Sequence, residues 1–202
     1  MYYLFRQKML LYPVFSTTDI MKQFPDFDRK NLVNWQKKGY IKKIRNNYYC
    51  LTENTIDEQF LNFTANKIYS PSYISLETAL SYYTIIPEGV FTINSVSSIR
   101  TNRFNTPIGT FNYQHLKSSL FFGYQLIPFN KLFYKIAELE KTILDYLYLH
   151  PTIDNSEDFN HLRWNKEALK KIDLNLFSQY QSLFNSRALD KRVSYFIIFL
   201  NA

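Results

Sequence analysis

Between residues 16 and 51 the apolar positions change their spacing twice, and each change marks a new element. Ser16, Thr17 and Thr18 with Asp19 supply an N-cap and an acidic first turn for a helix that must close at Phe24-Pro25, because the residue before a proline is pushed out of the α region. A second helix is predicted from Arg29 to Lys38. Asp28 is placed to cap it, Phe27 and Leu32 are spaced as a hydrophobic staple, and Gly39 can stop it in the left-handed conformation. Its apolar stripe is Leu32 and Trp35, three apart. The spacing then turns to that of strands: Ile41 to Arg45 and Tyr48 to Leu51 are joined through Asn46-Asn47, and asparagine tolerates the positive φ of such a turn. A two-stranded ribbon is not stable alone, so it is expected to lean on the helices through Ile41, Ile44, Tyr49 and Leu51. Helix, turn, helix and hairpin in this order predict a winged helix-turn-helix.

Beyond a polar junction at residues 52–57 the pattern is helical over 58–67, and a boundary near Phe63 divides the chain into 1–62 and 63–202. The second part alternates helical and extended patterns. A helix is expected over 72–83, ended by Pro87, followed by a strand from Val90 to Ser98. A turn at 106–109 leads into a strand at 110–114, and 121–128 and 132–136 give two more. A helix over 137–149 is closed by Pro151, and two further helical patterns cover about 165–184 and 187–200. The expectation is an α+β body with a small antiparallel sheet of about four strands and C-terminal helices.

Charge changes the picture. Of the formal net +7, the first 53 residues carry ten Lys/Arg against four acids, whereas the remaining 149 carry fourteen against thirteen. A local excess of this kind suits a phosphate backbone. On the second helix Lys30, Asn34 and Lys37 fall opposite the Leu32 and Trp35 stripe, so this is the face expected in a DNA major groove, where Asn can pair with adenine and Lys can reach guanine or phosphate. Arg29 and Lys38 flank it. Lys42, Lys43 and Arg45 with Asn46 and Asn47 are expected to present the hairpin tip to the DNA, Arg45 as a phosphate contact. A Lys-rich helix face is often merely solvated; the adjoining basic hairpin favours the binding reading.

Other chemistry finds little support. The four glycines are too dispersed for a phosphate-cradling loop, and His115, His150 and His161 lack metal-ligand spacing, so neither a cofactor nor a metal is expected. Glu138, Glu140 and Lys141 with Asp145 form the one cluster that suggests a nuclease, but they read more simply as the acidic first turn of a helix with Ile136, Leu139, Ile143 and Leu147 as its apolar stripe. The chain is therefore not expected to be an enzyme. The lone Cys50 fits a reducing compartment and a buried position on the hairpin. With no signal-like segment and a longest late apolar run of only residues 195–200, the expected location is the cytoplasm.

Four blocks carry a resemblance: IYSPSYISLETALSYYTIIPE (68–88), SIRTNRFNTPIGTFNYQHL (98–116), FFGY (121–124) and AELEKTILDYLYL (137–149). In this order they resemble the AbiEi-type antitoxin and transcriptional-regulator family of abortive-infection systems, in which an N-terminal winged helix accompanies such a body. Thr84 stands where that family usually has glycine, Leu139 where it has proline, and Asn47 at the usual hairpin-tip glycine. The resemblance implies a head that binds its own promoter, often at inverted repeats, and a body that counters a co-encoded nucleotidyltransferase-like toxin, with or without direct contact. The chain would then be an autorepressor and the antitoxin of a type IV toxin-antitoxin pair. The alternative is a stand-alone regulator whose body senses a ligand or oligomerises.

Overall fold

The computed structural model describes residues 1–87, 89 and 91–201. It is an α+β structure with a three-stranded antiparallel sheet, a larger mixed sheet and a set of C-terminal helices. The first part runs α1 (Tyr2–Met9), β1 (Phe15–Ser16), α2 (Thr17–Gln23), α3 (Lys30–Lys37), β2 (Ile41–Arg45) and β3 (Tyr48–Leu51), with strand order β1-β3-β2. Both hairpin strands coincide with their expected limits. The sequence pattern had not marked α1, whose Phe5 and Met9 are buried against Phe15, Trp35 and Ile20. An eight-residue helix has little stability of its own, and this one is held by aromatic packing: the Phe5 and Trp35 rings lie 4.5 Å apart.

Next come α4 (Glu58–Ile68), β4 (Ser72–Ile74), α5 (Leu76–Tyr82), β5 (Thr92–Ser97), β6 (Asn102–Thr106), β7 (Gly109–His115), β8 (Tyr124–Phe129), β9 (Leu132–Ala137) and α6 (Leu139–Leu149). The chain ends with α7 (Asp158–His161), α8 (Lys166–Leu169), α9 (Leu174–Phe184) and α10 (Arg187–Asn201). Three expectations need correction. The body sheet has six strands in the order β6-β7-β5-β4-β9-β8 and is mixed, not antiparallel: β5 runs parallel to β7, and β4 parallel to β9. The segment expected as one helix over 72–83 begins as strand β4, which pairs with both β5 and β9. The helix expected over 165–184 is divided into α8 and α9. Asp173, capping the amides of Asn175 and Leu176, sets the second start. Of the strand expected from residue 90, Val90 lies outside the described residues.

In the body sheet the central strands β4 and β5 are covered on both faces, which hides the alternation that marks a half-exposed strand. One face packs through Ile74, Ile93, Phe111 and Ile136 on Phe60, Phe63 and Ile68 of α4, together with Val14, Ile44 and Cys50 from the first part. The other packs through Tyr73 and Val96 on α5, α6, α9 and α10.

Two helices end in the same way. The Tyr40 amide bonds to the Trp35 carbonyl and the Gly39 amide to that of Gln36; the Ile85 amide bonds to Leu80 and the Thr84 amide to Ser81. This closing motif needs a left-handed residue, supplied by Gly39 at φ +70° and by Thr84 at φ +59°. Thus α5 stops at Thr84 and not at Pro87, and a β-branched residue occupies a conformation natural to glycine.

Candidate nucleic-acid interface

The orientation of α3 follows from its buried side. Trp35 packs on Phe5 and Phe27, and Leu32 joins the same cluster. The helix starts one residue later than expected, with Arg29 and not Asp28 at the N-cap position and no side-chain cap bond from it; Asp28 Oδ1 still accepts the Lys30 amide at 2.9 Å. The start of α2 is fixed by a capping box: the Asp19 amide donates to Ser16 Oγ at 3.0 Å and the Ser16 amide to Asp19 Oδ2 at 2.8 Å. Lys67 of α4 reaches the same carboxylate at 2.9 Å. Burial pushes the Asp19 carboxyl up, but the bonds from Ser16 and Lys67 outweigh it and hold the group below its ordinary value.

With that side fixed, Lys30, Asn34, Lys37 and Lys38 are all exposed, as is Arg29. Val33, 53% exposed, lies between Lys30 and Lys37 at helical spacing. Apolar spacing alone does not single it out, because an apolar residue is first assigned to the core. Among the described residues no carboxylate pairs with Lys30, Lys37, Lys38, Lys42 or Lys43. Of the four acids among the first 53 residues, Glu53 bonds Arg6 at 2.6 Å, Asp19 its cap and Lys67, and Asp28 the Lys30 amide, while Asp26 is exposed before the start of α3. The lysines of α3 thus outnumber the acids around them.

The hairpin is mortised between the two parts of the molecule. Ile44 is an extra residue in β2, where the register passes from Lys43 opposite Tyr49 to Arg45 opposite Tyr48. The bulge directs Ile41 to the head cluster and Ile44 to the cluster shared with the body. Ile44 thus leans away from the helices, contrary to expectation. Lys43, Asn46 and Asn47 are exposed, with Asn47 at φ +67° and its carbonyl accepting the Thr17 amide at 2.9 Å. Lys42 is half-buried opposite Cys50, whose thiol burial pushes up to about 11, leaving it protonated and inert at neutral pH. Arg45 does not stand free at the tip. Its guanidinium lies 3.8 Å from the centre of the Phe104 ring in β6, and Nη1 donates to the Ile68 carbonyl at 3.0 Å. Between Lys43, Arg45 and Asn46 on one side and Phe104, Asn105 and Pro107 on the other is an open cleft of about 490 Å³.

The acid cluster of α6 is distributed quite differently. Lys141 and Asp145 are fully buried and paired, Lys141 Nζ also donates to the Tyr73 hydroxyl at 2.8 Å, and the hydroxyls of Tyr73 and Ser75 donate to Asp145 Oδ2 at 2.8 and 3.0 Å. Burial presses the Lys141 ammonium below its ordinary value, against the pull of Asp145. Glu140 accepts the Asp173 amide at 2.8 Å and Glu138 the Tyr180 hydroxyl at 2.6 Å. These groups hold β4, α6 and α9 together. No cluster of His, Cys, Asp and Glu suited to a metal ion occurs among the described residues, and no described helix is long and apolar enough to cross a membrane.

No family model matches the chain, and a search of curated proteins gives no match.

Proposed function

We propose that the first part of this chain is a winged helix-turn-helix that binds duplex DNA, and that the protein is a cytoplasmic transcriptional autorepressor serving as antitoxin to a co-encoded nucleotidyltransferase-like toxin. The observation that carries the DNA reading is the exposed, unpaired face of α3, with Lys30, Val33, Asn34 and Lys37 opposite a packed Leu32 and Trp35. The order α1-β1-α2-α3-β2-β3, with β1 closing the hairpin as a third strand, supports the same reading. In a major groove Asn34 would read a base edge, Val33 a thymine methyl, and the lysines would contact guanine or phosphate. The antitoxin assignment rests on the resemblance of the four blocks.

The test uses the full chain and the DNA upstream of its own coding sequence. Asn34→Ala is expected to cost about 1–3 kcal/mol of binding and to relax preference at one or two base pairs. Lys30→Ala/Asn34→Ala/Lys37→Ala, expressed from an unrelated promoter beside the product of the downstream gene, should still protect cells. Unchanged affinity and preference in Asn34→Ala would remove α3 as the reading element, and a folded, abundant triple variant that fails to protect would remove the separate antitoxin role.

A further inference from the structure

Building on that reading, we infer that the cleft between the hairpin tip and the β6–β7 turn seats the phosphate backbone of the same DNA, so that the nucleic-acid footprint crosses from the head onto the body. The polar residues that line this cleft, Lys43, Arg45, Asn46 and Asn105, all carry N–H donors, and no carboxylate among the described residues lines it. Lys43 is exposed and has no acidic partner among the described residues. Arg45 has five N–H donors, and among the described residues its guanidinium makes one hydrogen bond, from Nη1 to the Ile68 carbonyl. Asn105 accepts the Thr110 hydroxyl at 3.2 Å through Oδ1, which leaves its NH2 group for an acceptor.

The site is built before any ligand arrives. Arg45 is held over the Phe104 ring, and Phe104 in turn packs on Tyr69 and Tyr113. The turn that carries Pro107 is closed by Thr106 Oγ1 donating to the Gly109 carbonyl at 2.7 Å. Groups fixed in this way lose little freedom on binding. A backbone phosphate is the ligand this lining suits, because Lys43 and Arg45 supply positive charge and Asn105, whose Oδ1 is taken by Thr110, offers its NH2 donor. The strand that lines one side of the cleft, β2, also packs on α3 through Ile41 in the cluster of Leu32 and Trp35.

Asn105→Asp tests this without touching the head. Aspartate keeps the oxygen that accepts from Thr110, replaces the donor with a negative charge, and lies on an exposed edge strand where folding is undisturbed. Binding of the full chain to a mixed-sequence DNA duplex would be followed by fluorescence anisotropy across a salt series. Asn105→Asp should weaken binding about five- to tenfold at low salt, and Lys43→Ala should lower the salt slope by about one. The same charge change on α9, Asn175→Asp, should have no effect. If Asn105→Asp binds as wild type while Lys30→Ala/Lys37→Ala weakens binding, the cleft proposal fails and the DNA reading stands. If the wild-type chain shows no salt-dependent binding to any duplex, both fail. Loss of poly-glutamate binding in Asn105→Asp with duplex binding intact overturns the proposal in favour of an acidic peptide.

Discussion

Helices α3 and α6 both carry lysines, and they use them in opposite ways. On α3, Lys30 and Lys37 are exposed and have no acidic partner among the described residues; on α6, Lys141 is fully buried and satisfied by Asp145 and Tyr73. An exposed ammonium keeps its hydration and contributes almost nothing to folding, so it remains available to a phosphate. A buried one must be neutralised where it stands, and its partners become part of the fold. Charge alone does not distinguish the two cases; what the neighbouring elements place around each lysine does.

The sharpest way to break this contrast is to remove one member of the buried pair. Asp145→Ala leaves Lys141 uncompensated and strands the hydroxyls of Tyr73 and Ser75, so a loss of about 3–5 kcal/mol in urea unfolding is expected. Lys141→Met/Asp145→Leu should recover the part due to the unpaired charge, because an apolar pair has no charge to neutralise, while the Tyr73 and Ser75 hydroxyls still lack Asp145. Lys30→Ala/Lys37→Ala should change stability by no more than about 0.5 kcal/mol. If the α3 variant were as destabilised as Asp145→Ala, its lysines would belong to the fold and not to a binding surface.

Arg45 lies between these extremes. The sequence reading made it a phosphate contact whose loss would weaken all DNA sequences alike, but its stacking on Phe104 and its bond to Ile68 give it a second role in joining the hairpin to the body. Arg45→Ala should therefore destabilise the whole chain by about 1–2 kcal/mol, and Arg45→Lys should not restore the loss because an ammonium cannot stack as a plane. Full stability in Arg45→Ala would return this residue to the class of α3 lysines.

The smallest effect compares the two matching helix ends. Thr84→Gly should stabilise the protein by about 1 kcal/mol, since it relieves the left-handed strain of a β-branched residue, whereas Gly39→Thr should destabilise α3 by a similar amount. Both are measurable as midpoint shifts in denaturant. A neutral Thr84→Gly would mean that the hydrogen bond from its Oγ1 to the Tyr83 carbonyl offsets the strain.

The elements read correctly from sequence were those set by near neighbours. The hairpin strands, the Asn47 turn, the Gly39 stop and the Ser16 cap all depend on contacts within a few residues, and local steric and hydrogen-bond rules specify them. What escaped was set at a distance. Strand β4 sits inside a helical pattern because its identity comes from pairing with β5 and β9; β9 begins nearly sixty residues later, and parallel neighbours of this kind leave no turn to announce them. Helix α1 exists because aromatic side chains from elsewhere in the head close over Phe5. The same holds for the candidate site. Its cations were legible as a local excess, but the destination of Arg45 and the cleft it shares with Asn105 were decided by β6, and the burial of Lys141 by β4. The sequence determined which residues carry charge and which face of α3 they share. Only the tertiary structure decided which charges remain free, because desolvation and pairing depend on segments that meet through folding and not through adjacency.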